Sequence, residues 1–247
     1  MTVALTVDCC REQVLYTSLL FFDACMEISR HYNATAQHEL GRQFYRRAAA
    51  VQKALTPAFW NESSGLFHAS AGGVEADRAD VFGSAYACIL KAASAEQCEK
   101  VSRTLIAEGS NVIFEGAVRE TPAPGFWDAQ FKVQSGRPNG TYDQGGYWGV
   151  NLDHVLPVVA LTSKPHACQI LLDAIRNFQR ISPIENSFLE WQFGPKGRQG
   201  APPCTSAGPD PCAATGYVAT AAAAYRASTL LDCGESRASG RSGTRSE

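Results

Sequence analysis

The sequence contains no apolar run that approaches the length of a membrane span, so no membrane partner is expected. Its longest candidate, Val14 to Met26, is interrupted by Tyr16, Thr17, Ser18 and Asp23 and reads as a buried helix. An excess of one charge is missing too. The formal net charge is -2, which argues against nucleic acid, because binding phosphates needs a basic surface. There is no Walker loop, no Gly-x-Ser-x-Gly nucleophile elbow and no dinucleotide fingerprint. The five histidines have no paired metal spacing and no Cys-x-x-Cys pair occurs, so neither a metal nor a cofactor is expected. The first residues lack the basic start and small-residue cleavage site of a signal peptide. Three glycosylation sequons are nonetheless present, at Asn33, Asn61 and Asn139.

The 9 cysteines cannot all pair within the chain. Cys25, Cys88, Cys98 and Cys168 fall within expected helices and read as buried thiols, whereas Cys204 and Cys212 share a loop and are a candidate disulfide. Strand signals are few and short: Gly65 to Ala69, and Asn111 to Glu115.

What is abundant is helical periodicity. Seven helices are expected, over about Arg11–His31, Thr35–Leu55, Asp80–Ala92, Ser94–Glu108, Tyr147–Leu161, Ser163–Gln179 and Thr215–Leu231. Ser94-Ala-Glu-Gln97 matches a capping box, and Pro165 suits a first helical turn. Residues 1–10 form an N-terminal extension, 11–231 one domain, and 232–247 a tail without apolar periodicity that is expected to be disordered.

Joints near Tyr32–Ala34, Ala93–Ser94 and Thr162–Ser163 are tight. Those at 56–79, 109–146 and 180–214 are long and rich in Gly, Pro, aromatics and carboxylates. Tight joints make antiparallel hairpins, and stacked hairpins bring every long joint to one face. The third, fifth and seventh helices are apolar or small nearly all round, which predicts burial on all sides. The second, fourth and sixth carry charge on one face (Arg42, Arg46; Glu96, Lys100; Asp173, Arg176) and belong outside. The expected fold is therefore all-α: a partial (α/α)6 toroid of antiparallel helical hairpins, with about seven helices.

Three stretches then resemble one superfamily. Phe59-Trp-Asn-Glu-Ser-Ser-Gly-Leu-Phe-His, followed by Asp80-Val-Phe-Gly, resembles the turn that precedes an inner helix in the six-hairpin glycosidases. Tyr142-Asp-Gln-Gly-Gly-Tyr-Trp-Gly resembles the start of a later inner helix, and Phe188-Leu-Glu-Trp191 a stretch before the last ones. The α-L-rhamnosidase-like and trehalase-like branches are the most similar in feel. The resemblance implies a glycoside hydrolase acting on a carbohydrate substrate. The chain has fewer helices than the family's closed ring, so the resemblance implies upstream hairpins of the same domain as expected partners.

Hydrolysis of a glycosidic bond generally needs two carboxylic groups, one to protonate the leaving oxygen and one to activate water or attack. Glu190 stands among Phe188, Leu189, Trp191 and Phe193, a setting that excludes water and raises a carboxyl pKa. The resemblance implies a general base at such a late glutamate; pairing with Arg198 is the plainer reading. Asp143, beside Gly145 and Gly146, is the second catalytic candidate, with a helix cap as its plainer role. Trp148, Tyr147, Trp191 and Trp127 offer flat faces to a sugar ring or are simply core. Asp80 and Glu120 are further candidates for substrate contact, with a helix cap for Asp80 and a pair to Arg119 or another surface cation for Glu120 as the plainer readings. A non-catalytic carbohydrate-binding or structural remnant of such a domain is the alternative function.

Overall fold

The computed structural model describes residues 13–73, 76–127, 144–181, 188–189, 191–192, 194–195 and 218–233. It is mostly helical, with six α-helices among these residues: α1 (Leu15–Ala34), α2 (His38–Phe59), α3 (Val81–Ile89), α4 (Ala95–Glu108), α5 (Leu152–Ile181) and α6 (Val218–Leu231). The count of seven is recovered inside α5, because Ser163 has a non-helical backbone (φ -151, ψ 96). The Phe178 ring comes within 2.9 Å of the position that a Cβ on Gly149 would take. An unbroken helix would separate those residues by about 40 Å, at 1.5 Å per residue. The chain therefore folds back at Ser163, whose hydroxyl receives the His166 N–H at 3.3 Å. The length and composition of α5 would suit a membrane span, but this reversal divides it.

Helix α1 buries Leu15, Leu19, Phe22, Cys25 and Ser29, one stripe at helical spacing. That stripe meets Gly41, Ala48, Leu55 and Phe59 of α2, and the Ser29 hydroxyl donates to Gly41 O at 2.8 Å. Helix α2 passes through Pro57 rather than stopping before it, because Phe59 is buried in the same core and holds the last turn in place. Helix α3 is buried from Val81 to Ala87, as an all-apolar helix should be. Helix α4 opens with the full capping box: Gln97 N donates to Ser94 Oγ at 3.1 Å, and Ser94 N to Gln97 Oε1 at 3.0 Å.

Specific contacts fix the directions. The starts of α1 and α3 lie together, since Leu15 N donates to Ala69 O and Asp80 N to Phe67 O. Val81 N at the start of α3 reaches Glu120 O. The strand just before α5 pairs with the one just before Glu120, and Gly149 touches Thr220 in the first turn of α6. The N-terminal ends of α1, α3, α5 and α6 thus gather at one end. Helices α2, α4 and the second half of α5 run back toward that end. Thr56 near the end of α2 meets Gln97 near the start of α4, and Ser64 in the β1–β2 turn meets Thr104 farther along α4.

The long joints build two small sheets at this end. Strands β1 (Trp60–Asn61) and β2 (Leu66–Phe67) pair antiparallel. Strands β3 (Ile113–Phe114), β4 (Ala117–Arg119), β5 (Tyr147–Trp148) and β6 (Trp191–Gln192) form an antiparallel sheet in that order. Two of these strands lie at the expected strand signals, but β5 replaces the expected first turn of a helix. Tyr147 and Trp148 pair with Arg119 and Val118 on one side and with Gln192 and Trp191 on the other, so cross-strand packing overrides the helical pattern. The β3–β4 turn places Glu115 (φ 48) and Gly116 (φ 82) both at positive φ, a type I′ geometry. A side chain at Gly116 would run into the Ala174 backbone.

The cysteine expectations need correction. Cys88 and Cys98 form a disulfide (Cα–Cα 5.5 Å), and Cys168 pairs with Cys233 (5.7 Å). Each pair lies beside a tight joint, where the end of one helix meets the start of another, so helical placement did not mean a free thiol. Cys25 is free and buried as expected. Cys233, assigned from sequence to the tail, is held at the end of α6; Cys204 and Cys212 lie outside the described residues.

Candidate functional site

Asp80 is the N-cap of α3: its Oδ1 accepts the Gly83 N–H at 2.7 Å. The plainer reading of this residue is therefore correct, but it does not exhaust the chemistry. Asp80 is 6% exposed, and burial pushes its carboxyl up from 3.8 to about 6, against the pull of the Gly83 and Phe82 N–H groups. It is an acid that holds its proton into the weakly acidic range.

Three other elements bring groups to the same place. Tyr16 lies in the first turn of α1, and its phenol is raised by burial and then by the charges of Asp80, Asp153 and Glu120. Those three carboxylates come from the start of α3, the start of α5 and the segment after β4. The Tyr16 ring stacks on Tyr86 at 5.4 Å, and Tyr86 stacks on His154 at 4.8 Å. Tyr86 donates to Asp23 Oδ2 at 3.1 Å; burial and that carboxylate push its phenol up to about 12. Burial holds the His154 imidazole below its ordinary value, with Asp153 opposing and Arg226 adding to the shift. Asp153 Oδ2 meets Arg226 Nη1 at 3.3 Å.

Glu120 does not pair with Arg119. It accepts the Trp127 indole N–H at 2.7 Å, and both residues are only partly buried. Arg119 turns inward instead, 3% exposed, and donates to Gly145 O at 3.1 Å and Gly125 O at 2.5 Å while lying over the Phe126 ring. Gly145, at φ 102, has the guanidinium where a Cβ would sit, which explains a glycine in that motif. Tyr147, Trp148 and Trp191 are 3%, 8% and 2% exposed and belong to the main core, with the Tyr147 hydroxyl donating to Ser110 O at 2.7 Å. They wall the loop end rather than stand open on it. The catalytic candidates Glu190 and Asp143 lie outside the described residues.

The structure thus brings Asp80 and Glu120 together, and sets Trp127 on Glu120. Sequence reasoning missed Tyr16, Tyr86, Asp153, His154 and Arg226. A signal existed: Asp153 and His154 open the first half of α5, whose remaining residues up to Leu161 are apolar, and Arg226 is the lone charge in α6. Among the described residues, Asp153 Oδ1, His154 Nδ1, Thr220 Oγ1 and both amide atoms of Gln144 are buried without a protein hydrogen-bond partner. These belong to α5 and α6 near their starts, or to the segment just before them; His68 Nε2, just after β2, is a further such atom. Such atoms carry a desolvation cost of about 1–3 kcal/mol each. No protein-family model and no curated protein matches the sequence.

Proposed function

We propose that this chain is a glycoside hydrolase-like protein, a partial (α/α)6 toroid that acts on a carbohydrate by carboxylate acid/base hydrolysis of a glycosidic bond. The observation that carries this reading is that Asp80, Asp153 and Glu120, from three separate segments, lie near enough to Tyr16 for their charges to raise its phenol beyond the effect of burial. Glycoside hydrolysis needs one carboxyl that keeps its proton and one that has lost it, and environments that push such groups apart identify the pair of roles. Asp80, raised to about 6, suits the protonated role. Glu190, as general base, and Asp143 remain the catalytic candidates of the loops, supported by the burial of their sequence neighbours Trp191 and Gln144. The polar atoms without protein partners are groups that a polyhydroxylated ring would satisfy, and the Trp127 ring beside Glu120 offers a flat face to such a ring. The toroid reading draws on the common direction of the four inner helices. Val218, Tyr225 and Leu230 of α6 are exposed, the kind of face that a further hairpin covers.

A screen of aryl glycosides and oligosaccharides tests the reading, with Glu190→Gln as control. Turnover that falls at least 100-fold in the variant supports it, a typical size for losing general acid–base catalysis. Turnover unaffected by the substitution removes Glu190 from the mechanism. The second reading, a non-catalytic carbohydrate-binding or structural remnant, is favoured by the structural roles of two of the acids: Asp80 caps a helix and Asp153 pairs with Arg226. Glycan binding without turnover is its expected outcome.

A further inference from the structure

We propose that Asn61 is an N-glycan attachment site, and that this chain matures in an oxidising compartment where glycans are transferred. This site does not depend on the carbohydrate-processing reading, because Asn61 lies outside the acid cluster.

Asn61-Glu62-Ser63 has the acceptor pattern, and its local structure is unusually suited to the modification. Asn61 Oδ1 accepts three hydrogen bonds, from Ser63 N at 2.9 Å, Ser63 Oγ at 2.7 Å and Ser64 N at 3.3 Å. The carbonyl half of the amide thus builds the β1–β2 turn. The Nδ2 half, which bears a glycan, donates to no group among the described residues. Glu62 and Ser63 are exposed, and the Glu62 carboxylate is held away by Lys100 and by the Trp60 indole N–H at 2.7 Å. A glycan on Nδ2 would therefore break no hydrogen bond of the fold.

The second observation concerns the compartment. Cys88–Cys98 and Cys168–Cys233 are closed, and structural disulfides are features of secreted and secretory-pathway proteins. Closing each one removes two protons and two electrons, which a disulfide-donating oxidoreductase accepts. Glycan transfer joins Asn61 Nδ2 to the anomeric carbon of a lipid-pyrophosphate-linked oligosaccharide. The anomeric C–O bond breaks, the lipid pyrophosphate leaves with the electron pair, and Nδ2 loses one proton.

Asn33-Ala-Thr35 supplies an internal contrast. Asn33 is exposed, yet its amide lies against Gly41, where a Cβ on that glycine would sit. A glycan there would compete with α1–α2 packing, so occupancy should be lower than at Asn61. Asn139 lies outside the described residues.

The test is peptide mapping of the chain isolated from its own cells, alkylated without reductant, before and after peptide N-glycosidase in ¹⁸O-water. The expected result is an Asn61 peptide that appears only after the enzyme, with Asn converted to ¹⁸O-labelled Asp, alongside linked Cys88–Cys98 and Cys168–Cys233 peptides. Ser63→Ala, which removes the acceptor pattern but keeps the backbone N–H bonds to Asn61 Oδ1, should lose the mass of one glycan. An unmodified Asn61 peptide with intact disulfides overturns the attachment site. An unmodified peptide with free, alkylated thiols overturns the site and the compartment together.

Discussion

Where α1 meets α2, α3 meets α4 and α5 folds back, the joints are tight and their polar groups are matched: a complete capping box at Ser94, a hydroxyl cap at Ser163, and a disulfide beside each of the last two joints. At the opposite end the same helices begin among buried acids, a buried arginine, stacked tyrosines and several polar atoms with no protein partner. One end of every hairpin is built for stability, and the other tolerates costs that stability alone would not keep. Such an imbalance is the ordinary mark of a functional face on a rigid scaffold.

The largest effects should come from unfastening the tight end. Replacing Cys168 and Cys233 with Ala opens a cross-link spanning 65 residues, and chain entropy predicts a loss of about 4 kcal/mol. The same change at Cys88 and Cys98, separated by 10 residues, should cost about 3 kcal/mol. Urea titrations of the two variants check the ranking, and a reversed order would mean that the short link carries more than loop closure.

Gly116→Ala attacks the other end. It adds a side chain at φ 82 that overlaps the Ala174 backbone, so a loss of about 3 kcal/mol is expected from strain and displaced packing. Thermal unfolding should show it, together with a weakened four-stranded sheet.

Asp80 makes the contrast visible in pH. Its carboxyl is raised in the folded protein, so the folded state holds the proton more firmly between 3.8 and about 6. Stability from this group is full below that window and falls as pH rises through it, by up to about 3 kcal/mol. Asp80→Asn keeps an acceptor for Gly83 N–H and should flatten that slope, gaining about 2 kcal/mol at pH 8 relative to its effect at pH 4. Denaturant midpoints across pH 4 to 8 measure it; an unchanged slope would remove Asp80 as the group responsible. The smallest effect is at the tight end, where Ser94→Ala removes one half of the capping box at a cost of about 1 kcal/mol.

The helices were legible in the sequence because each carries its own signal. The buried stripe of α1, the all-apolar α3, the capping box of α4 and the Ser163–Pro165 break are local facts. The two- and three-residue strands were not all legible, since β4, β5 and β6 exist only through partners brought from distant joints. The same holds for the site. Asp80 and Glu120 stand in recognisable loops, whereas Tyr16, Tyr86 and His154 look like ordinary helical residues until the inner helices bring their rings into one column. Disulfides were misread for a related reason: Cys88 and Cys98 each suit a buried helical position, and only the turn between them makes them neighbours.

The most direct measurement is hydrogen exchange mapped along the chain with and without an oligosaccharide selected by glycan array. Protection confined to residues 118–127 and 147–154, leaving 35–37 and 90–94 unchanged, is the predicted outcome for a sugar site at the loop end. Protection at the tight joints instead, or no glycan retained by the array at all, would contradict it.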